Sequence, residues 1–106
     1  MSISILYHFV YLMSMDKVVI WLIRGSQRKE IFVNIPENLF LSNKLRKVLN
    51  NKLKLNLSLR EMSRHLRDFE KRAIITCMNK EDPYNKIYQL TNKGKKLKKD
   101  LIKTDL

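Results

Sequence analysis

Ser58-Leu59-Arg60-Glu61-Met62-Ser63-Arg64-His65-Leu66-Arg67-Asp68-Phe69-Glu70-Lys71 is the stretch on which the fold turns. It opens on a capping box: the Ser58 hydroxyl is placed to accept the backbone N–H of Glu61, and the Glu61 carboxylate to return to the N–H of Ser58. Leu59, Met62, Leu66 and Phe69 then recur at helical spacing and form one apolar stripe. Burying that stripe sends Arg60, Arg64, Arg67 and Lys71 to other faces. The segment from about 59 to 71 therefore reads as an amphipathic helix with a basic outer side.

Downstream, Ala73 to Met78 is apolar and β-branched, and Lys86 to Leu90 alternates polar with apolar residues. Asn79 to Asn85, with Asp82-Pro83, separates them, so residues 74–90 predict an antiparallel hairpin with a charged tip. Thr91 caps a final helix running to about Lys103, in which Leu97 and Leu101 are apolar and Lys93, Lys95, Lys96, Lys98 and Lys99 face solvent. Upstream, Asp16 caps a short helix carrying Val18, Val19, Trp21, Leu22 and Ile23, which Arg24-Gly25-Ser26 interrupts. Ser26 caps the next helix, with Ile31, Phe32 and Ile35 on one face and Pro36 ending it. Ser42 is the expected N-cap of a further helix in which Leu45, Val48 and Leu49 share a face, fraying at Asn50-Asn51. Asn51 to Leu57 reads as a short strand or an irregular connector, the connector being favoured.

A chain of 106 residues supports one compact domain, expected over 16–106, behind a 1–15 extension or extra helix. Met15 is an alternative start. The apolar runs Ile3–Met13 and Val18–Ile23 are separated by Asp16 and Lys17, and neither reaches the ~20 residues of a membrane span. No basic region precedes them, so a signal peptide is not expected. Lys and Arg number 22 against 10 Asp and Glu, a net charge of +12 that favours polyanionic partners. Cys77 is the only cysteine; it forms no intrachain disulfide, reads as a small core residue rather than a redox sensor, and fits a reducing cytoplasm. No thiolate cluster exists to hold zinc, His8 and His65 are the only histidines, and no metal or other cofactor is expected. With only Gly25 and Gly94 for a phosphate-cradling loop and no nucleophile motif, an enzyme is not expected.

The order of three helices, a hairpin and a helix resembles the winged helix-turn-helix family, in particular prokaryotic regulators of the ArsR and MarR kinds and their archaeal relatives. The resemblance spans about Arg24 to Leu101. It rests on Arg24-Gly25-Ser26-Gln27-Arg28, on Met62-Ser63-Arg64-His65-Leu66-Arg67, and on Tyr88-Gln89-Leu90-Thr91-Asn92-Lys93-Gly94. It implies a mostly α fold with a small β-hairpin: a three-helix core, an antiparallel wing and a C-terminal helix. It further implies a repressor that binds double-stranded DNA, with the 59–71 helix in the major groove.

By that resemblance Arg60, Ser63 and Arg64 contact bases or adjacent phosphates, with Arg64 forked onto guanine, while Ser58, at the start of the reading helix, is expected among the DNA-binding residues and Arg67 grips phosphate. Lys80 and Lys86 in the wing, and Ser42 and Lys44 at the start of the preceding helix, are expected on phosphate. His65 is expected to pack or to touch phosphate. Relatives mostly act as homodimers; the N-terminal helix and the Leu97, Leu101, Ile102 face are the candidate interface, unless they close the domain's own core. Two features depart from the family: Ala73 stands where a glycine usually follows the reading helix, and the connector before that helix is long and lacks glycine. A winged helix used for protein association or RNA binding is the alternative, and nothing in the residues specifies an effector.

Overall fold

A computed structural model describes residues 17–104; the 1–15 extension, the Asp16 cap and His8 lie outside the described residues. The fold is mostly helical with a small antiparallel sheet. In chain order the elements are α1 (Lys17–Arg24), α2 (Ser26–Val33), β1 (Phe40–Leu41), α3 (Ser42–Leu53), α4 (Leu59–Lys71), β2 (Ile75–Cys77), β3 (Ile87–Leu90) and α5 (Asn92–Thr104). The three strands lie in the order β1-β3-β2. The hairpin pairs Ile75 with Leu90 and Cys77 with Tyr88. β1 adds Phe40 opposite Tyr88 and Leu41 opposite Ile87, a strand too short to leave a period in the sequence.

α4 is the keel of the core. Met62, Leu66 and Phe69 are completely buried, and the Phe69 ring meets Trp21 and Phe32 edge-on at centroid distances of 5.9 and 5.6 Å. Burying each of these three α4 side chains contributes about 1.5–3 kcal/mol. Around them pack Leu22, Ile31, Leu49, Ile74 and Leu101, while Phe40 stacks on Tyr88 at 5.8 Å. Cys77 lies in this core, as its apolar setting implies.

Several expectations need correction. Leu59 is 59% exposed, because the first turn of α4 projects past the elements that cover the rest of the stripe. Val48 is likewise exposed, so Leu45 and Leu49, with the partly buried Leu53, anchor α3. Neither Ser26 nor Ser42 is an N-cap. Gly25 caps α2, and Leu41, held extended by its pairing with Ile87, caps α3 without a side-chain hydrogen bond. α3 does not fray at Asn50 but runs to Leu53 and ends on left-handed Lys54 (φ 56°). Leu97 and Leu101 belong to the chain's own core and leave the candidate dimer face, on which Ile102 stays exposed. Lys98 is half-buried and donates to the Ile35 carbonyl rather than pointing free.

α4 ends in a Schellman motif. The Ile74 N–H bonds the Phe69 carbonyl at 3.2 Å and the Ala73 N–H bonds the Glu70 carbonyl at 2.9 Å, which requires Ala73 to be left-handed, with φ 61°. An L-residue there costs about 1–2 kcal/mol, against about 0.5–1 for ordering a glycine. Ala73→Gly is therefore expected to stabilise the fold by about 0.5–1 kcal/mol, raising Tm by a few degrees. An unchanged or lower Tm in a thermal melt would contradict this account of the turn.

Candidate nucleic-acid interface

Arg60, Ser63, Arg64, Arg67 and Lys71 are all exposed and recur at helical spacing on the side of α4 opposite its buried stripe. Both anticipated capping-box bonds are present, Glu61 N–H to Ser58 Oγ and Ser58 N–H to Glu61 Oε1, each at 3.1 Å. These bonds, the backbone one first, hold the Glu61 carboxyl below its ordinary pKa, so the box keeps its charge at the helix N-terminus, where the dipole favours it. The Ser58 hydroxyl thus has a structural task, although the residue is exposed.

At the other end of α4, Arg72 donates to the Asp68 carbonyl at 3.3 Å and places its guanidinium 3.7 Å from the Trp21 ring centroid. Arg28 lies 4.3 Å from the same ring. These two arginines brace α1, α2 and α4 together. His65 turns toward α2, where its Nε2 pairs with Gln27 Oε1 at 3.1 Å. Burial, followed by the neighbouring Arg64 charge, pushes its pKa down against smaller opposing effects of Asp68 and Glu61. Of the two sequence readings of His65, packing is the one the geometry favours.

The angle of α4 depends on the glycine-free connector, and the side chains that set it escaped the sequence reading. Asn50 clamps the backbone of Leu57 with two bonds, Nδ2 to the carbonyl at 2.9 Å and Oδ1 from the N–H at 2.6 Å. Arg46 adds a bond to the Leu57 carbonyl at 3.1 Å and is itself held by Asn43 Oδ1. Lys54 and Asn56 turn the chain with φ of 56° at each. Asparagine tolerates that region, which is the one local signal the connector carried.

Pairing of β1 with β3 brings the start of α3 beside the hairpin. Between them lies a cleft of about 270 Å³ whose lining includes Ser42, Lys44, Lys47, Tyr84, Asn85 and Lys86. Ser42, Lys44 and Lys86, expected separately on phosphate from the sequence, are thus brought together; Lys47 joins them without having been expected, and Tyr84 is 89% exposed. The first turn of α3, whose Leu41 cap makes no side-chain hydrogen bond, adds backbone N–H donors beside the cleft. Lys80 is exposed at the turn after β2 and does not line this cleft.

The hairpin tip is built rather than loose. Asp82 Oδ1 accepts the N–H groups of Tyr84 and Asn85, each at 2.9 Å, and these bonds lower its pKa. Asn79 bridges the two arms, donating to the Asn85 carbonyl at 2.8 Å and accepting the Ile87 N–H at 2.7 Å. Lys86 is thereby carried on a braced ribbon.

Among the described residues no group of His, Cys, Asp and Glu is placed to hold a metal ion, and no helix is long and apolar enough to cross a membrane. No protein-family profile, curated protein or solved structure matches this chain.

Proposed function

We propose that this chain is a winged-helix transcriptional regulator that binds duplex DNA with sequence preference and represses by obstructing polymerase. The observation that carries the reading is the single face of α4 on which Arg60, Ser63, Arg64 and Arg67 stand exposed over a wholly buried Met62, Leu66 and Phe69. An α-helix fits the major groove, where base edges present distinguishable donors and acceptors. The order β1-β3-β2, with α3 and α4 packed before the ribbon, supports the winged-helix assignment.

In this reading α4 lies in the groove, Arg64 forks onto a guanine, and Arg60 and Ser63 contact neighbouring edges or phosphates. Arg67 and the Ser42–Lys44–Lys86 cleft hold backbone phosphates, with Lys80 on the flanking strand. Ser58 keeps α4 in register. Two chains read half-sites about one helical turn apart; with Leu97 and Leu101 committed to the core, Ile20 and Ile23 of α1 and Ile102 of α5 are, among the described residues of these two helices, the large apolar side chains exposed for their contact.

Selection of bound duplexes from a random pool at near-physiological salt tests the proposal, with a twofold-symmetric motif expected. Recovery of no preferred duplex would favour the association or RNA-binding alternative. Arg64→Ala is expected to cost about 1–3 kcal/mol on the selected duplex and to relax preference at one position. Lys86→Ala should weaken selected and random duplexes alike. Equal behaviour of the two variants on both substrates would refute this division of labour.

A further inference from the structure

Next to the basic cleft lies a hollow of opposite character. An open groove of about 520 Å³ is walled by Leu39, Leu41, Leu45, Val48 and Ile87, and among the described residues Lys44 is the only charged side chain in its lining. Its apolar wall is wet: Leu39, Leu41 and Val48 are 56%, 37% and 53% exposed. The strand explains part of this. Phe40 is buried, so the alternation of β1 turns Leu41 to the other side, where Leu39, just before the strand, and Val48 of α3 are also exposed. The volume falls in the range of small-molecule sites, which are mostly apolar with a few polar groups that orient the ligand.

We propose that this groove binds a small amphipathic carboxylate, an acid with an apolar body the size of a medium-chain acyl group. The hydrocarbon covers Leu39, Leu41 and Val48, and the carboxylate meets the Lys44 ammonium. Charge complementarity selects this class. A single cation in a lining whose other polar side chain is the neutral Asn34 matches one negative charge on an apolar body, and the net charge of +12 attracts an anion and repels an amine. A polyphosphate would find no second cation there.

Lys44 also lines the basic cleft beside the hairpin. A carboxylate that pairs with it withdraws one positive charge from that cleft, so the acid is an effector that loosens duplex binding. Only this coupling rests on the duplex-binding reading; occupation of the groove does not.

The test uses the full chain without DNA, titrated with decanoate, decan-1-ol and decylammonium while the methyl resonances of Leu39, Leu41, Val48 and Ile87 are followed. Decanoate is expected to shift these methyls saturably and to bind about threefold or more tighter than decylammonium, the worth of a solvent-exposed ion pair. Lys44→Gln should remove that preference and leave decan-1-ol unaffected, whereas Val48→Ser should weaken all three probes. Equal binding of the three headgroups, or no saturable shift, overturns the site. So do groove shifts that track protein concentration, which would mark a second copy in the groove, or contacts to residues 1–16, which would mark the chain's own apolar start there.

In a second arm, decanoate should lower duplex affinity, and duplex should lower decanoate affinity by the same factor; Val48→Ser should suppress both. Groove binding with unchanged duplex affinity would overturn the coupling and keep the site. Absence of any duplex binding would refute the regulator reading and leave the first arm to stand or fall alone.

Discussion

Gly94→Ala is expected to lower Tm by about 15–25 °C, a loss on the order of 3–4 kcal/mol. Helix propensity argues the other way, since alanine is favoured over glycine by about 1 kcal/mol inside a helix. The structure decides the sign. A Cβ on Gly94 would lie 2.0 Å from the Ile74 carbonyl oxygen and 3.0 Å from its carbon, and both are backbone atoms that no rotamer change can move.

The obstructed region is also the junction on which the orientation of α4 relative to α5 depends. Thr91 donates its N–H to that same Ile74 carbonyl at 3.1 Å. Its hydroxyl donates to the Ala73 carbonyl at 2.7 Å and accepts the Gly94 N–H at 3.0 Å. Relieving the clash means giving up bonds worth about 1 kcal/mol each, on top of an overpacking cost of about 1–3 kcal/mol. A domain of this size has only about 5–10 kcal/mol in total. A thermal melt in which Gly94→Ala matches or exceeds the parent would show that the α5 start can slide away from the Schellman turn, and would remove this contact from the account of how α4 is held.

What could be read beforehand follows from where the information lies. The Ser58–Glu61 box, the Met62–Leu66–Phe69 stripe and the Thr91 cap are encoded within four residues of themselves, as bonds or contacts between near neighbours on one helix. The hairpin was legible because its first arm is an apolar, β-branched run, its second alternates, and the tip carries Asp82, whose turn-forming bonds are local. By contrast, β1 is two residues long and is defined only by its pairing with Ile87 and Tyr88. That pairing displaces the helix cap from Ser42 to Leu41. The Asn50 clamp spans seven residues to Leu57, and nothing in the composition of α3 marks Asn50 as different from Asn51. Leu59 misleads for a related reason: periodicity states which face an apolar residue shares, not whether another element extends far enough to cover it. The cleft was half visible, its residues named one by one, but their meeting depends on the β1–β3 pairing.

Raising salt from 50 to 200 mM is expected to weaken duplex binding by about two orders of magnitude for one protomer and about four for a twofold pair. The estimate follows from the side chains assigned to phosphate: Lys44, Arg67, Lys80 and Lys86. Each displaces close to one condensed counterion, so the slope of log affinity against log salt is about −3.6 for one chain and about −7 for two. Arg64, engaged with a base edge, contributes little to that slope, whereas loss of Lys86 flattens it by about 1 per protomer. The slope therefore separates two properties that affinity alone confounds, because a tight monomer and a weak dimer can share a Kd but not a salt dependence. A value near −3.6 with complexes of single-chain mass would retire the twofold arrangement and retain the duplex reading. A slope near zero would mean that the exposed arginine face of α4 meets no phosphate-bearing polymer, and the regulator reading would fall with it.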